Sequence, residues 1–107
     1  MYYIYVLRCS DNSLYTGITN DFQKRLTTHK RRDKAAAKYT RSRHVTSVAA
    51  LWKTDTKSSA LKLEARIKRL TKARKENLIS DPSSVCKYFA DLEDVFETID
   101  YNDADAI

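Results

Sequence analysis

One glycine, one proline and two cysteines are all that this 107-residue chain has of the residues that punctuate or staple a fold. The cysteines, Cys9 and Cys86, sit in unrelated contexts, with no C-x-x-C spacing and no histidine cluster beside them. That excludes a disulfide framework and a structural zinc site, which takes four ligands at short spacing, and both read as free thiols. No uninterrupted apolar run approaches a membrane span, and the N-terminus lacks a signal-peptide pattern, so a soluble, intracellular protein is expected. Acids are scarce over residues 1–80, where 19 Lys and Arg face 6 Asp and Glu, a net +13. Residues 81–107 invert this, with 8 acids against a single Lys, a net −7. A basic body suits a polyanion, because Lys and Arg that neutralise phosphates release condensed counterions. Solvated helix faces are the bland explanation of a charge run, and the size of this imbalance argues for nucleic acid.

The remaining composition, 42% hydrophobic, supports one compact core. Tyr2-Tyr3-Ile4-Tyr5-Val6-Leu7 and Leu14-Tyr15-Thr16-Gly17-Ile18-Thr19 are aromatic and β-branched runs of strand type. The Asp/Asn/Ser chemistry of Cys9 to Ser13 between them predicts an antiparallel hairpin. Gly17, alone of its kind, marks a bulge or a close backbone approach. Asn20 or Asp21 can cap a helix to about residue 30, with Phe22, Leu26 and His29 on related faces. Lys30 to Arg43 is almost wholly basic, small or polar and reads as a loop with a short Ala-rich turn. Val45 to Trp52 supplies a third strand. Thr54, Asp55 or Thr56 then caps a helix whose Ala60, Leu63, Ile67 and Leu70 recur at helical spacing. A second helical piece, Lys72 to Ile79, ends before Asp81-Pro82. Val85 to Ile99 is expected to be one more amphipathic helix, bearing Phe89, Leu92 and Phe96, and Asp100 to Ile107 to be disordered. The tail could dock on the core or imitate DNA over the basic stretch. The expected division is a nuclease-like domain at 1–80 and an acidic extension, part helical and part disordered, at 81–107.

The chemical residues persuade as a series. Tyr3-Ile4-Tyr5 is followed, ten residues after Tyr5, by Tyr15-Thr16-Gly17, then by Arg25 and His29 four apart, then by Glu64 in a helical stretch. This order and spacing resembles the GIY-YIG nucleases over residues 2 to about 80. Tyr3 stands at the usual glycine of the first triplet and Thr16 at the usual isoleucine of the second. The resemblance implies an α/β fold, a small, mainly antiparallel three-stranded sheet flanked by helices. It implies a metal-dependent endonuclease hydrolysing DNA phosphodiesters, of a kind that serves DNA repair or recombination. Tyr5, Tyr15, Arg25, His29 and Glu64 are the catalytic candidates, Gly17 serves the site structurally, and one Mg²⁺ or Mn²⁺ ion is bound by Glu64. Asn77, thirteen residues after Glu64, is a candidate phosphate contact. Lys30, Arg31, Arg32, Lys38, Arg41 and Arg43 are candidates for gripping duplex or branched DNA.

Elementary chemistry assigns these residues compatible tasks. Phosphodiester hydrolysis requires charge to be neutralised on phosphate oxygens and a water to be activated. A hard cation takes oxygen ligands, and Mg²⁺ usually keeps several waters, so one carboxylate is an adequate protein share. The guanidinium of Arg25 can face phosphate bidentately. A tyrosine hydroxyl, ordinarily titrating near 10, can take a proton from water if nearby cations lower that value; which of Tyr5 and Tyr15 does so is open. Each residue also has a plainer reading. Glu64 could pair with Lys68 on a helix surface, the tyrosines could be core, and Asn77 a helix-end amide. A nucleic-acid-binding module without catalysis is the alternative function.

Overall fold

The computed structural model describes residues 1–31 and 44–101. β1 (Tyr2–Cys9) and β2 (Leu14–Thr19) form the expected hairpin, paired antiparallel with Tyr5 opposite Gly17 and Leu7 opposite Tyr15. Local polar groups make the turn: the Ser13 N–H donates to Asp11 Oδ1 at 3.0 Å, and Asn12 takes φ 67°, a left-handed conformation that asparagine tolerates. β3 (Val45–Thr54) pairs with the other edge of β1. The sheet has four strands rather than three, in the order β2-β1-β3-β4, because a two-residue β4 (Glu97–Thr98) adds to β3.

Strand alternation sends side chains to two different cores. Ile4, Val6 and Trp52 pack with Ala60, Leu63 and Ile67 of α2 (Lys57–Lys68) and with Leu78 of α3 (Lys72–Ser80). Tyr5, Leu7 and Cys9 pack with Phe22 and Leu26 of α1 (Phe22–Arg31). Two register shifts between β1 and β3 change the parity of β3, so that Leu51 but also Val48 and Val45 face α1. Asp21 caps α1 by accepting from the Lys24 N–H (3.2 Å), and Thr56 caps α2 through the Ser59 N–H (3.1 Å). Among the described residues no helix is long and apolar enough to cross a membrane.

The expected helix over Val85 to Ile99 is not formed. A 3₁₀ turn (Pro82–Ser84) leads into the single-turn α4 (Val85–Tyr88), and the chain then runs irregularly to β4. Long-range partners hold it there. The Arg66 guanidinium pairs with Asp91, Ser59 Oγ donates to Asp94 (2.5 Å), and Thr54 Oγ1 donates to the Val95 carbonyl (2.8 Å). Val85, Phe89 and Phe96 are buried in the α2-side core, each worth roughly 1.5–3 kcal/mol of transfer free energy. The acids Asp91 and Asp94 thus lie against Arg66 and Lys62 of α2. On the opposite side Tyr101 meets Phe22 edge to face, ring centres 5.3 Å apart, so the segment folds around the β3 edge.

Candidate active site

Tyr5 lies in the central strand, its side chain on the α1 side and only 1% exposed. The hairpin register puts Tyr15 diagonally across from it, and the two rings stand 6.4 Å apart. Gly17, directly opposite Tyr5, has no positive φ; what it supplies is room. A β-carbon there would lie 2.4 Å from Tyr5 Oη and 2.6 Å from its Cζ. The close approach expected of Gly17 is therefore an approach to the phenol of the first motif.

The helix completes the cluster. Phe22, Arg25 and His29 follow at i, i+3 and i+7, one face of α1. Phe22 packs on Tyr5 at 5.6 Å between ring centres. His29 is fully buried, and its Nε2 is 2.9 Å from Tyr5 Oη. Its ring also meets that of Tyr15 at 5.3 Å. Burial, with the Arg25 charge adding to it, pushes His29 down to about 4, so the imidazole is neutral at pH 7. Burial pushes the Tyr5 phenol up to about 12; Arg25 pulls it down, Tyr15 and Glu64 push it further up. With both groups neutral, their contact is a hydrogen bond whose direction follows the imidazole tautomer.

That response of Tyr5 ties Glu64 to the site, since a carboxylate on α2 acts electrostatically on a phenol on β1. α2 packs over β2 and β1, and Glu64 comes from it with a half-buried side chain, 18% exposed. The pair with Lys68 forms too, at 3.4 Å, with a lysine that is 52% exposed. Such a contact is weak and easily exchanged. No group of three or more His, Cys, Asp or Glu able to hold a metal occurs among the described residues. Glu64 offers one oxygen ligand of the kind a hard cation takes, whereas zinc takes three or four protein ligands.

Tyr5, Tyr15, Gly17 and His29 are thus in contact, and the charges of Arg25 and Glu64 both act on the Tyr5 phenol. Lys30, half-buried, and Arg31, exposed, end α1. Arg32, Lys38, Arg41 and Arg43 lie outside the described residues. Asn77 is exposed on α3, where its carbonyl accepts from Ser80 Oγ. Sequence reasoning placed Phe22 only as a core residue; its spacing from Arg25 and His29 was the available sign that it faces Tyr5. Thr16, buried at 4% exposure, has an Oγ1 with no hydrogen-bond partner among the described residues. A clamp also went unread: Arg8 donates two hydrogen bonds to Glu76 (2.7 and 2.9 Å), and Lys72 joins Glu76 (2.7 Å) to the Asn12 carbonyl (2.8 Å). Arg8 and Lys72 hold the Glu76 carboxyl down at about 2. This fixes the hairpin turn to α3.

Comparison with known proteins gives this arrangement a context. Residues 1–77 match the family model of the GIY-YIG catalytic domain. A UPF0213 protein of Fusobacterium nucleatum is 43% identical over 94 residues, covering 88% of this chain and 89% of its own. A UPF0213 protein of Bacillus velezensis is 46% identical over 80 residues, 75% of this chain and 79% of its own. A solution NMR structure of a UPF0213 protein from Bacillus halodurans matches at 32% identity with a TM-score of 0.46, covering 84% of this chain and 98% of that one.

Proposed function

Because the chain belongs to the GIY-YIG family, a nuclease family, we propose that it is an endonuclease hydrolysing DNA phosphodiester bonds inside the cell with the help of one Mg²⁺ or Mn²⁺ ion. The observation that carries this reading is the buried Tyr5–His29 pair with Tyr15 against it and the charges of Arg25 and Glu64 both acting on the Tyr5 phenol. Glu64 would hold the divalent cation, which when bound would neutralise phosphate charge and acidify water. The chain's own residues supply the rest. Arg25 faces the non-bridging oxygens, where its charge counts for more as negative charge builds in the transition state.

Tyr15 is the proton acceptor in this reading. Tyr5 is poorly suited, since its phenol is enclosed, bonded to His29 and held near 12, whereas a base works best with a pKa near the operating pH. Tyr15 is only half-buried and stands on the edge strand β2, against the rings of Tyr5 and His29. His29 acts through Tyr5 as a positioning residue, keeping the phenol against Gly17 and beneath Tyr15. Lys30, Arg31 and the basic residues up to Arg43 supply phosphate contacts that bind without reading sequence, and Asn77 one more.

The test is nicking of supercoiled plasmid by the purified chain in Mg²⁺, in Mn²⁺ and in EDTA, with a DNA-binding titration at several salt concentrations. Metal-dependent nicking is expected, with Arg25→Ala slower by on the order of 10²-fold and much less altered in affinity. Salt-sensitive binding without cleavage under any metal would instead select the binding-module function.

A further inference from the structure

A cavity adjoins the candidate catalytic cluster on the α1 side of the sheet, with a volume of about 340 Å³. Its walls are Tyr3, Phe22, Leu51, Ile99 and Tyr101. Leu51 is the cross-strand partner of Tyr5, and Phe22 packs one way on Tyr5 and the other on Tyr101, so the cavity and the cluster share walls. The rim is polar: Asn20, Asp21 and Gln23, with Gln23 Nε2 donating to Tyr101 Oη at 3.2 Å. Ile99 and Tyr101 come from beyond residue 77, where the family match ends. Ile99 is held by its N–H donating to the Leu51 carbonyl at 2.9 Å.

We infer that this cavity receives one unpaired nucleobase of the DNA strand being cleaved, which makes the substrate a strand with single-stranded character near the scissile bond. The inference rests on the nuclease reading above and adds the substrate class. The lining speaks for a base over a phosphate. No Lys or Arg among the described residues lines the cavity, and the acid on its rim, Asp21, repels phosphate while capping α1. Aromatic rings offer what every base can use, a stacking face. The side-chain amides of Asn20 and Gln23 each carry donors and an acceptor, matching the mixed edge of a base. The size lies at the small end of ligand cavities, roughly 300 to 1,000 Å³, which fits a single ring system better than an extended ligand. Cations follow at once along α1, with Lys24 and Arg25 directly after Gln23, so a base in the cavity leaves its phosphates towards the charged side of the helix. A fully paired base cannot enter without leaving its stack, a cost of a few kcal/mol that an already unpaired base avoids.

The test uses the whole chain in EDTA, so that binding is read without cleavage. The probes are a short single-stranded deoxyoligonucleotide carrying 2-aminopurine, the same strand annealed to its complement, and a strand of equal length with abasic sites at its central positions. Quenching of 2-aminopurine and binding of the single strand about tenfold tighter than the abasic strand are expected, since one stacked base is typically worth that factor or more. Tyr101→Ala should remove about that factor for the base-bearing strand and leave the abasic strand unchanged, while Tyr101→Phe, which keeps the ring, retains tight binding. Gln23→Ala, at an exposed position, is a second variant that weakens the base-bearing strand alone. Equal affinity for base-bearing and abasic strands, or variants that bind both as the unaltered protein does, overturns the cavity assignment while plasmid nicking persists. No binding to any DNA, together with no nicking, overturns the nuclease reading and this inference with it.

Discussion

Replacing Gly17 by alanine perturbs the site through one atom. The added β-carbon would lie 2.4, 2.6 and 3.0 Å from Oη, Cζ and Cε2 of Tyr5, where carbon contacts settle at about 3.5–4.0 Å. Tyr5 must therefore move by about 1 Å, and it is not a loose end. Its ring is boxed by Phe22 at 5.6 Å and His29 at 5.7 Å, with Tyr15 at 6.4 Å. Retreat of β2 is no easier, because Ile4–Ile18 and Val6–Thr16 pair on either side of the contact. Overpacking of this kind costs about 1–3 kcal/mol, and losing the hydrogen bond to a buried His29 adds a term of similar size. A destabilisation of about 2–4 kcal/mol is expected, out of a total of roughly 5–15 kcal/mol for a small domain. Trp52, the chain's single tryptophan and fully buried, reports unfolding in a urea titration. Repeating Gly17→Ala in a Tyr5→Leu background separates the contact from backbone effects, since the penalty should shrink when the phenol is gone. A midpoint for Gly17→Ala within about 0.5 kcal/mol of the unaltered protein, or an undiminished penalty in the Tyr5→Leu background, refutes the reasoning.

Three further outcomes follow from the same geometry. His29 titrates near 4 when folded against an ordinary 6.5, so the unfolded chain binds the extra proton and stability falls as pH drops from about 6.5 towards 4; urea titrations should give about 2 kcal/mol less at pH 5 than at pH 7, and a flat profile over that range contradicts a buried neutral imidazole. Thr16→Val removes a hydroxyl that is buried with no partner among the described residues, and calorimetry should show a gain of about 1 kcal/mol, or about 4–8 °C in Tm, rather than a loss. Tyr15→Phe should lose about 10²-fold or more in cleavage rate with the fold retained, whereas Tyr5→Phe should lose about 1–3 kcal/mol of stability by removing the hydroxyl bonded to buried His29; the reverse pattern would exchange the roles assigned to the two tyrosines.

Much of this was legible in local sequence. The Asp11-Asn12-Ser13 turn, the caps at Asp21 and Thr56 and the break before Asp81-Pro82 are short-range chemistry, and each element starts or stops where that chemistry dictates. The four-residue step from Arg25 to His29 was enough to put both on one helix face. Other features depend on partners distant in sequence. Phe89, Leu92 and Phe96 have helical spacing, yet the backbone between them follows Asp91 to Arg66, Asp94 to Ser59, Val95 to Thr54 and β4 to β3. Those tertiary partners override a local period. The fourth strand was missed for the same reason, being two residues long and defined by pairing alone. In β3 the register shifts break the alternation, which counted from Leu51 would send Val48 to the other core. The purpose of Gly17 was invisible until the register placed Tyr5 against it.

The central claim is that one half-buried carboxylate on α2 holds the cation on which hydrolysis depends. Its most direct test is Glu64→Gln, which preserves the shape of the side chain and removes the hard anionic ligand. Single-turnover cleavage of plasmid DNA should be measured at saturating Mg²⁺ for both proteins, together with DNA affinity in EDTA and urea stability. Cleavage should be abolished in Glu64→Gln, with affinity and stability close to those of the unaltered chain, because the ion pair lost among the described residues is the weak one to Lys68. Cleavage at an unchanged rate by a folded Glu64→Gln protein would contradict the claim.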